Sequence, residues 1–324
     1  MKKTILIFFL LVCISALKAQ QAAQFSQYMF NGIYINPAYA GYKEELNLHS
    51  FYRNQWVGVE GSPKSMSLAL DAIANDGNVG LAMQLSADKL GAQNTVAGYV
   101  NYAYRIRLSE SEDERLAFGI GAGIIRNSID GTMLNAIDLN DTRIPLDYQS
   151  NTLPDFRAGA FYSNDKWYAG FSADYLLAQY VSRNRTNGIY TVTPKPHYYL
   201  TAGGLLPINE SVQIKPSFLI KDDRGGPTTL DLNAFLLLAD KVWIGGSYRT
   251  GVKLYDKSYL QKDLLKKNAI VGMTEFFVSP KLRLGYAFDY SLTQISGYSG
   301  GTHEISIGFY FKPKLIGMLT PRCF

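Results

Sequence analysis

The feature that most constrains this chain is a two-residue alternation of large apolar side chains with polar or small ones. It is clearest in segments 230–238, 282–290 and 303–311. In 282–290, one face holds Leu282, Leu284, Tyr286, Phe288 and Tyr290, and the other holds Arg283, Gly285, Ala287 and Asp289. A period of two places successive side chains on opposite faces of a β-strand. The pattern therefore predicts strands with one apolar face.

Candidate strands of this kind recur along the whole chain. We predict them at 46–56, 64–73, 77–87, 92–108, 114–128, 155–164, 166–177, 196–206, 211–221, 227–238, 241–251, 268–278, 280–291 and 302–312. This gives about fourteen strands, within a range of twelve to sixteen, because closely spaced strands can be split or merged in such an assignment. No linker divides the series, so we expect one all-β domain.

The links between these strands alternate in length. Every second link is short, as at 75–77, 164–165, 240 and 279, whereas the longest links are 130–154, 178–195 and 252–267. A soluble β-sandwich also has alternating strands. Short turns on one rim and long loops on the other are instead typical of a transmembrane antiparallel β-barrel, with the short turns periplasmic and the loops extracellular. An even strand number then places both termini in the periplasm.

Composition supports a membrane location. Charged residues make up 18% of the chain, below the roughly 25% of ordinary domains, while Tyr and Phe number 23 and 17. Beyond the N-terminus, no stretch approaches the 18 continuous apolar residues of a membrane helix. Strands cross a bilayer only when every backbone N–H and C=O is paired, which closure into a barrel achieves. Outer-membrane lipid and lipopolysaccharide are then expected partners.

The chain ends differ from the strand region. Residues 1–19 have the charged start, apolar core and small-residue ending of a secretory signal peptide. We divide the remainder into a lead at 20–45, a barrel at 46–312 and a periplasmic tail at 313–324. Three lysines and no acids lie in 1–19, so its removal lowers the formal charge from +5 to 5 − 3 = +2. This small charge predicts no nucleic-acid partner.

The residues do not predict an enzyme. The three histidines, His49, His197 and His303, are far apart in sequence, and no HExxH, GxxxxGK[ST] or CxxC motif is present. Cys323 is the only cysteine outside the signal peptide, which excludes a disulfide scaffold and a cysteine zinc cluster. We therefore expect no catalytic site, metal or cofactor.

The lead has an apolar, Tyr-rich composition without helical or strand period. We expect it to pack in or across the periplasmic mouth of the barrel and narrow the lumen; the alternative is a disordered periplasmic tail. The Asn36–Pro37 step favours a fixed turn, since proline pushes the preceding residue away from helical geometry. In the first strand, Arg53 and Gln55 share the lumen face, and Trp56 is expected on the lipid face near the outer rim.

Two extracellular loops are candidates for partner contact. Residues 253–267 are basic and predict a short helix with Tyr259, Leu260 and Leu264 as apolar contacts. Arg183, Arg185 and Tyr190 lie in the loop after the seventh strand. These cations fit either a protein partner or the phosphates of lipopolysaccharide.

Two N-terminal blocks resemble a known family. They are residues 36–41 (NPAYAG) and residues 53–63, which hold Arg53, Gln55, Trp56, Glu60, Gly61 and Pro63. Together with matches through 118–121, 154–159, 168–172 and 297–308, they resemble the PorP/SprF family of type IX secretion system membrane proteins. The contact candidates transferred by this resemblance are Asn36, Pro37, Tyr39, Gly41, Arg53, Gln55, Trp56, Glu60, Gly61 and Pro63. We expect the two blocks to lie at opposite rims.

The resemblance implies a role in protein export and, in many members, gliding motility. It implies two kinds of partner: a secreted, adhesin-like surface protein recognised through its C-terminal targeting domain, and periplasmic secretion-system lipoproteins or peptidoglycan-linked proteins. The alternative function is an outer-membrane porin or small-molecule transporter with a plugged lumen.

Overall fold

The structure is a computed structural model that describes residues 24–109, 114–134, 144–183, 194–257, 260 and 267–311. It is a closed antiparallel barrel of fourteen strands. Their bounds are β1 Asn47–Asn54, β2 Lys64–Ala74, β3 Val79–Leu90, β4 Gln93–Arg107, β5 Arg115–Asp130, β6 Tyr148–Ser163, β7 Trp167–Asp174, β8 His197–Gly204 continued by Leu206–Asn209, β9 Val212–Asp223, β10 Thr228–Leu238, β11 Val242–Val252, β12 Lys267–Ser279, β13 Leu282–Ser291 and β14 Thr302–Tyr310.

Each strand pairs with the next along the chain, and β14 closes the ring on β1. The closing register runs from Asn47 opposite Tyr310 to Asn54 opposite His303. Closure gives every strand a hydrogen-bonded neighbour on each side, which is the condition for strands in a bilayer. The prediction of a fourteen-stranded antiparallel barrel is confirmed, and the sandwich alternative is wrong.

Prolines accompany two of the departures from the predicted strands. β8 is interrupted at Leu205, and the register of β8 and β9 places this interruption beside Pro216, which has no N–H to donate. β6 begins at Tyr148, before the predicted residue 155, and includes Pro154. Pro154 is tolerated there because the first part of β6 pairs only with β5, while β7 pairs from Ala158 onward.

The two rims of the barrel differ in their links. We call one the short-turn rim, because its links are 75–78, 108–114, 164–166, 210–211, 239–241 and 280–281. We call the other the long-loop rim, because it includes 55–63, 131–147, 175–196, 253–266 and 292–301. The link after β3 is residues 91–92 rather than the predicted 88–91, because β3 extends to Leu90.

Side chains alternate between a buried inner face and an exposed outer face. On β10, Asp231, Asn233, Phe235 and Leu237 point inward and are buried, and Leu232 is 49% exposed on the outer face. The outer face has many large apolar residues, as a lipid-facing wall requires. The inner face is not uniformly polar, since Phe51, Trp243 and Val271 are buried inside.

Helical structure is sparse among the described residues. The longest helix is α1, Ala178–Arg183, in the β7–β8 loop. In the described part of the chain, no helix has the length and apolar character needed to cross a membrane. The predicted signal peptide 1–19 and tail 313–324 lie outside the described residues.

The outer face generates the first testable prediction. Val100 lies at the middle of β4 and is 65% exposed, so Val100→Arg should lower the free energy of unfolding in lipid vesicles by about 2–4 kcal/mol. Leu90 is exposed at the end of β3, and Leu90→Arg should cost only about 0–1 kcal/mol. Denaturant titrations of both variants check this difference. Equal costs at the two positions would be inconsistent with a membrane band around the middle of the wall.

Candidate functional site

The described part of the lead, from residue 24 onward, lies inside the ring of strands. It forms three single 3₁₀ turns, Tyr28–Phe30, Gly32–Tyr34 and Pro37–Tyr39. Nearly all residues from 25 to 43 are buried, and their apolar side chains form one cluster with inward residues of the wall. We call residues 24–45 the plug. It fills the lumen far more deeply than a lid across one mouth.

The first plug residues are fixed near the long-loop rim by buried charges. The two carboxylate oxygens of Glu304 accept the backbone N–H groups of Ser26 and Gln27, each at 2.8 Å. Ser26 Oγ donates to Asp289 at 2.7 Å. Arg53 pairs with both carboxylates, at 2.8 Å to Asp289 and 3.0 Å to Glu304. Charge-assisted hydrogen bonds of this kind are the strongest type available to a neutral backbone.

Charge balance explains why the plug belongs there. Arg249 pairs with Asp231 at 3.0 Å and reaches Asp289 at 3.5 Å. The cluster therefore contains two arginines, including Arg53, and three carboxylates, including Glu304. Buried carboxylates need a full set of donors. The amides and hydroxyl of the plug supply donors that the wall lacks.

The middle of the plug is held near the short-turn rim by two lysines and an aromatic cluster. Lys215 on β9 donates to the Met29 carbonyl at 3.1 Å, and Lys43 donates to the Phe30 carbonyl at 2.7 Å. The Phe30 ring lies 5.7 Å from that of Phe235 and 6.2 Å from that of Trp243. Apolar inward residues of the wall thus have a partner in the plug.

The Asn36 side chain joins the plug to the opposite wall. It accepts the Ala38 N–H at 2.9 Å and so caps the Pro37–Tyr39 turn. It also donates to the Ala160 carbonyl of β6 at 3.0 Å. The Phe161 ring then packs 5.5 Å from Tyr39. Residues 36–41, the first of the two motif blocks, therefore pack inside the barrel.

Inward glycines make room for the plug, two of them for its backbone and three for its side chains. They lie on five strands: Gly80, Gly119, Gly159, Gly170 and Gly285. A Cβ atom at Gly119 would overlap the backbone of Ala38, and one at Gly80 would overlap the Ala40 carbonyl. Glycine in a strand interior often marks a close approach of another backbone. The small-residue face that the sequence shows at 119–123 thus seats the plug in part.

The plug leaves the lumen at the short-turn rim. Gly41 has a φ of 71°, and a Cβ atom there would lie 2.8 Å from the Gly80 Cα. Glu44 then pairs with Arg105 at 3.0 Å and with Arg115 at 3.1 Å. These arginines lie where β4 and β5 meet the short-turn rim. The chain enters β1 three residues later. These ion pairs fix the exit of the plug.

Burial keeps the phenols of the plug neutral. It raises the pKa of Tyr28, Tyr34 and Tyr39 well above the ordinary value, chiefly through loss of solvation. Tyr34 donates to the His49 carbonyl at 3.2 Å, and Tyr28 accepts from Asn233 at 2.9 Å. The aromatic residues of the plug therefore act as neutral hydrogen-bonding groups at any physiological pH.

The family model described as type IX secretion system membrane protein PorP/SprF matches residues 17–309. The chain belongs to the PorP/SprF family. The resemblance found in its motifs is thereby confirmed, and the chain is a type IX secretion system membrane protein with an outer-membrane barrel fold. No curated protein matches it in sequence.

Solved structures with a similar fold are barrels of low sequence identity. The CymD monoaromatic hydrocarbon channel is 10% identical, with a TM-score of 0.50, covering 87% of this chain and 93% of that chain. A TodX deltaS2S3 mutant monoaromatic hydrocarbon channel has 9% identity and a TM-score of 0.47, covering 88% and 93%. A Pseudomonas aeruginosa FadL homologue is 11% identical, with a TM-score of 0.46, covering 88% of this chain and 94% of that chain. The likeness to CymD concerns the fold alone.

The PorP/SprF motif residues divide between the plug and the long-loop rim. Four of them are buried in the plug: Asn36, Pro37, Tyr39 and Gly41. Arg53 is buried on the inner face of β1 and contacts the plug. None of these five presents a free surface in this state. That these residues contact a partner stays a prediction. The contacts that the structure describes for them are all within the chain.

The remaining residues of the second block form the β1–β2 loop. The Gln55 N–H donates to the Pro63 carbonyl at 2.9 Å, and the Gly61 carbonyl accepts from Gly91 at 2.9 Å. Glu60 is exposed. Trp56 follows the end of β1 with a φ of 51° and donates its backbone N–H to Thr302, so strand alternation does not extend to it. Its expected position on the lipid face of the strand is corrected to this half-buried turn.

The two loop candidates are only partly described. Leu260 is half-buried, and Arg183 ends α1. Arg185, Tyr190, Tyr259 and Leu264 lie outside the described residues. Contact of these loops with a partner stays a prediction.

Sequence reasoning missed the residues that hold the plug. Strand alternation places Arg283, Asp289 and Glu304 on the inner face, but it does not show which of them meet the lead. Ser26 and Gln27 lie in a segment without period. Among the described residues, no group of three or more His, Cys, Asp and Glu side chains is placed to hold a metal.

The Glu304 contact generates the second prediction. Glu304→Gln should replace one acceptor oxygen with an NH₂ group that opposes a plug N–H, and backbone amides 26–27 should exchange about 10–100-fold faster. Glu275→Gln is the matched control, because Glu275 is buried in the same wall and pairs with Arg283 at 3.0 Å. Hydrogen exchange by mass spectrometry measures both variants. Unchanged exchange at residues 26–27 in Glu304→Gln would refute the anchor.

The seating glycines generate the third prediction. Gly119→Val should force the plug away from β5 and lower stability by about 1–3 kcal/mol, as overpacking does. Gly272→Val is its control, since Gly272 is an exposed strand glycine with open space around its Cβ position, and should change stability by less than about 0.5 kcal/mol. Thermal unfolding in detergent compares them. Similar effects of the two substitutions would contradict the seating role.

Proposed function

We propose that this chain is a non-enzymatic docking component of the type IX secretion machinery in the outer membrane. Its task would be to hold or help export a large adhesin-like surface protein through that protein's C-terminal targeting domain. The observation that supports this role most is the filled lumen. With residues 25–43 buried inside the wall, the barrel offers its rims, rather than a conduit, to partners.

We propose that the short-turn rim faces the periplasm. Asn47 starts β1 and Tyr310 ends β14 at this rim, and short turns are periplasmic in bacterial barrels. The start of the described plug is different, since Ser26 and Gln27 lie inside the lumen beside Glu304. We therefore assign to the periplasmic side the point where the chain enters the first strand and the point where it leaves the last strand, and not the start of the plug. The tail 313–324 would follow Tyr310 into the periplasm.

Exposed apolar side chains on the long-loop rim suit a protein partner. Tyr298 in the β13–β14 loop is 81% exposed, and Leu254 in the β11–β12 loop is 57% exposed. Aromatic residues of this kind are enriched where proteins bind one another. We assign the surface protein to this rim. Lipopolysaccharide phosphates would meet the cationic residues of the same loops.

The short-turn rim suits the periplasmic parts of the machine. Its inner edge presents the Glu44, Arg105 and Arg115 cluster, where the plug meets the wall. Periplasmic secretion lipoproteins or peptidoglycan-linked proteins would bind on this side. A contact there would touch the plug exit directly.

The alternative of a diffusion porin agrees less well with the geometry. A porin keeps an aqueous lumen, whereas the plug here makes hydrogen bonds with β6, β9 and β14 and packs against their neighbours. A small-molecule transporter would have to move the plug. The docking role requires no such movement.

Affinity purification from outer membranes in mild detergent tests the proposal. We expect a large surface protein to co-purify with the wild type, and at least ten-fold less of it with a variant in which Leu254 and Tyr298 are both replaced by Ser. The double variant Leu232→Ser and Ile244→Ser is the control, because both residues are exposed on the outer wall away from the loops. Recovery of no surface protein and no periplasmic secretion component would favour the transporter alternative.

A further inference from the structure

A cavity of about 80 Å³ lies between the plug and the wall on the long-loop side. Plug residues from Gln24 to Ile35 form one side, and Tyr99, Arg157, Tyr175, Tyr199 and Lys221 form the other. Tyr175 follows the last residue of β7, and Lys221 lies two residues before the end of β9. The volume accommodates several waters or a small group such as a carboxylate with its neighbouring carbons.

Lys221 is the unusual residue of this cavity. The residue is only 4% exposed, yet its ammonium group makes no hydrogen bond and no ion pair within 4.0 Å with any described residue. Its nearest neighbours across the sheet are Tyr199 on β8 and Thr229 on β10. A buried ammonium without a partner is costly, unless a ligand or water supplies the missing acceptor.

The carboxylates around Lys221 are occupied by other groups. Asp174 lies 3.1 Å from Arg157, and Asp231 pairs with Arg249. Asp223 accepts the Gly225 N–H and lies 3.4 Å from His197. The cavity is therefore lined by two cations, Arg157 and Lys221, and by one carboxylate, Asp174, which Arg157 neutralises.

The hydroxyl groups around the cavity add further donors. The phenols of Tyr175 and Tyr199 line it and have no described hydrogen-bond partner. Burial raises the pKa of Tyr175, which keeps that phenol protonated. Tyr99 already donates to Asp155 at 2.8 Å and is not available. One ammonium and two phenols therefore line the cavity, and none of the three has a hydrogen bond to a described residue.

We infer that this cavity binds a carboxylate group, with Lys221 as its counter-ion and Tyr175 and Tyr199 as hydrogen-bond donors. The carboxylate can come from the C-terminus of a peptide chain or from a small organic acid. The site depends on the plug for one wall but does not depend on the identity of any secretion partner. It is a function separate from docking at the rims.

Binding of defined probes to the purified full-length protein tests the inference. The probes are trialanine with a free C-terminus, its C-terminal amide, and propionate, measured by calorimetry or saturation-transfer NMR. We expect the free acid to bind at least about ten-fold more tightly than the amide, because charged hydrogen bonds are lost in the amide. Propionate distinguishes the sources: trialanine acid binding at least ten-fold more tightly indicates a chain end, and comparable binding indicates small acids.

Variants then locate the site. Lys221→Met should weaken acid binding at least ten-fold, Lys221→Arg should retain most of it, and Tyr199→Phe should weaken it a few-fold. Lys166→Met at the short-turn rim and Tyr290→Phe on the outer wall should leave it unchanged. Equal binding of acid and amide by the wild type, no binding of any carboxylate probe, or full affinity in folded Lys221→Met would overturn the inference.

Discussion

A ring of fourteen strands encloses more space than its own inward side chains can fill. Eight strands give an interior that side chains just fill, and sixteen or more leave an aqueous channel. This chain lies between these limits and fills the difference with its own N-terminal segment. The inner wall reflects that solution: inward glycines give space to the plug backbone, Phe235 and Trp243 give it apolar contact, and Glu304 accepts its amides.

The lumen combines two kinds of interaction that each need the plug. Without it, three carboxylates near the long-loop rim share two arginines, and the rings of Phe51 and Phe161 lose their contacts with Phe25 and Tyr39. The plug gives these carboxylates additional donors and these rings additional contacts. Wall and plug are therefore interdependent parts of one packed structure. The proposed partner contacts then lie at the rims, where exposed loop residues are available, and the proposed carboxylate site lies in the cavity beside the plug.

The sequence predicted the strands well, because a two-residue alternation with a lipid-facing side leaves a direct signal in β10 and β13. It predicted the aromatic lead as a packed segment, yet not its depth or its partners. Asn36 and Arg53 stood out by family resemblance, but their contacts depend on which strands face each other across the lumen. Ser26, Lys215 and Lys221 had no local signal, since their roles arise only when distant strands enclose one space. Trp56 was misplaced because the strand ended at Asn54.

We infer that the plug closes the lumen. Single-channel recording in planar bilayers tests it most directly, by comparing the purified wild type with a variant that lacks residues 24–41. Heat-modifiable electrophoretic mobility establishes that both proteins form a barrel. We expect no steady conductance from the wild type and a large, steady conductance from the variant. A large conductance in the wild type that is unchanged by the deletion would contradict the account.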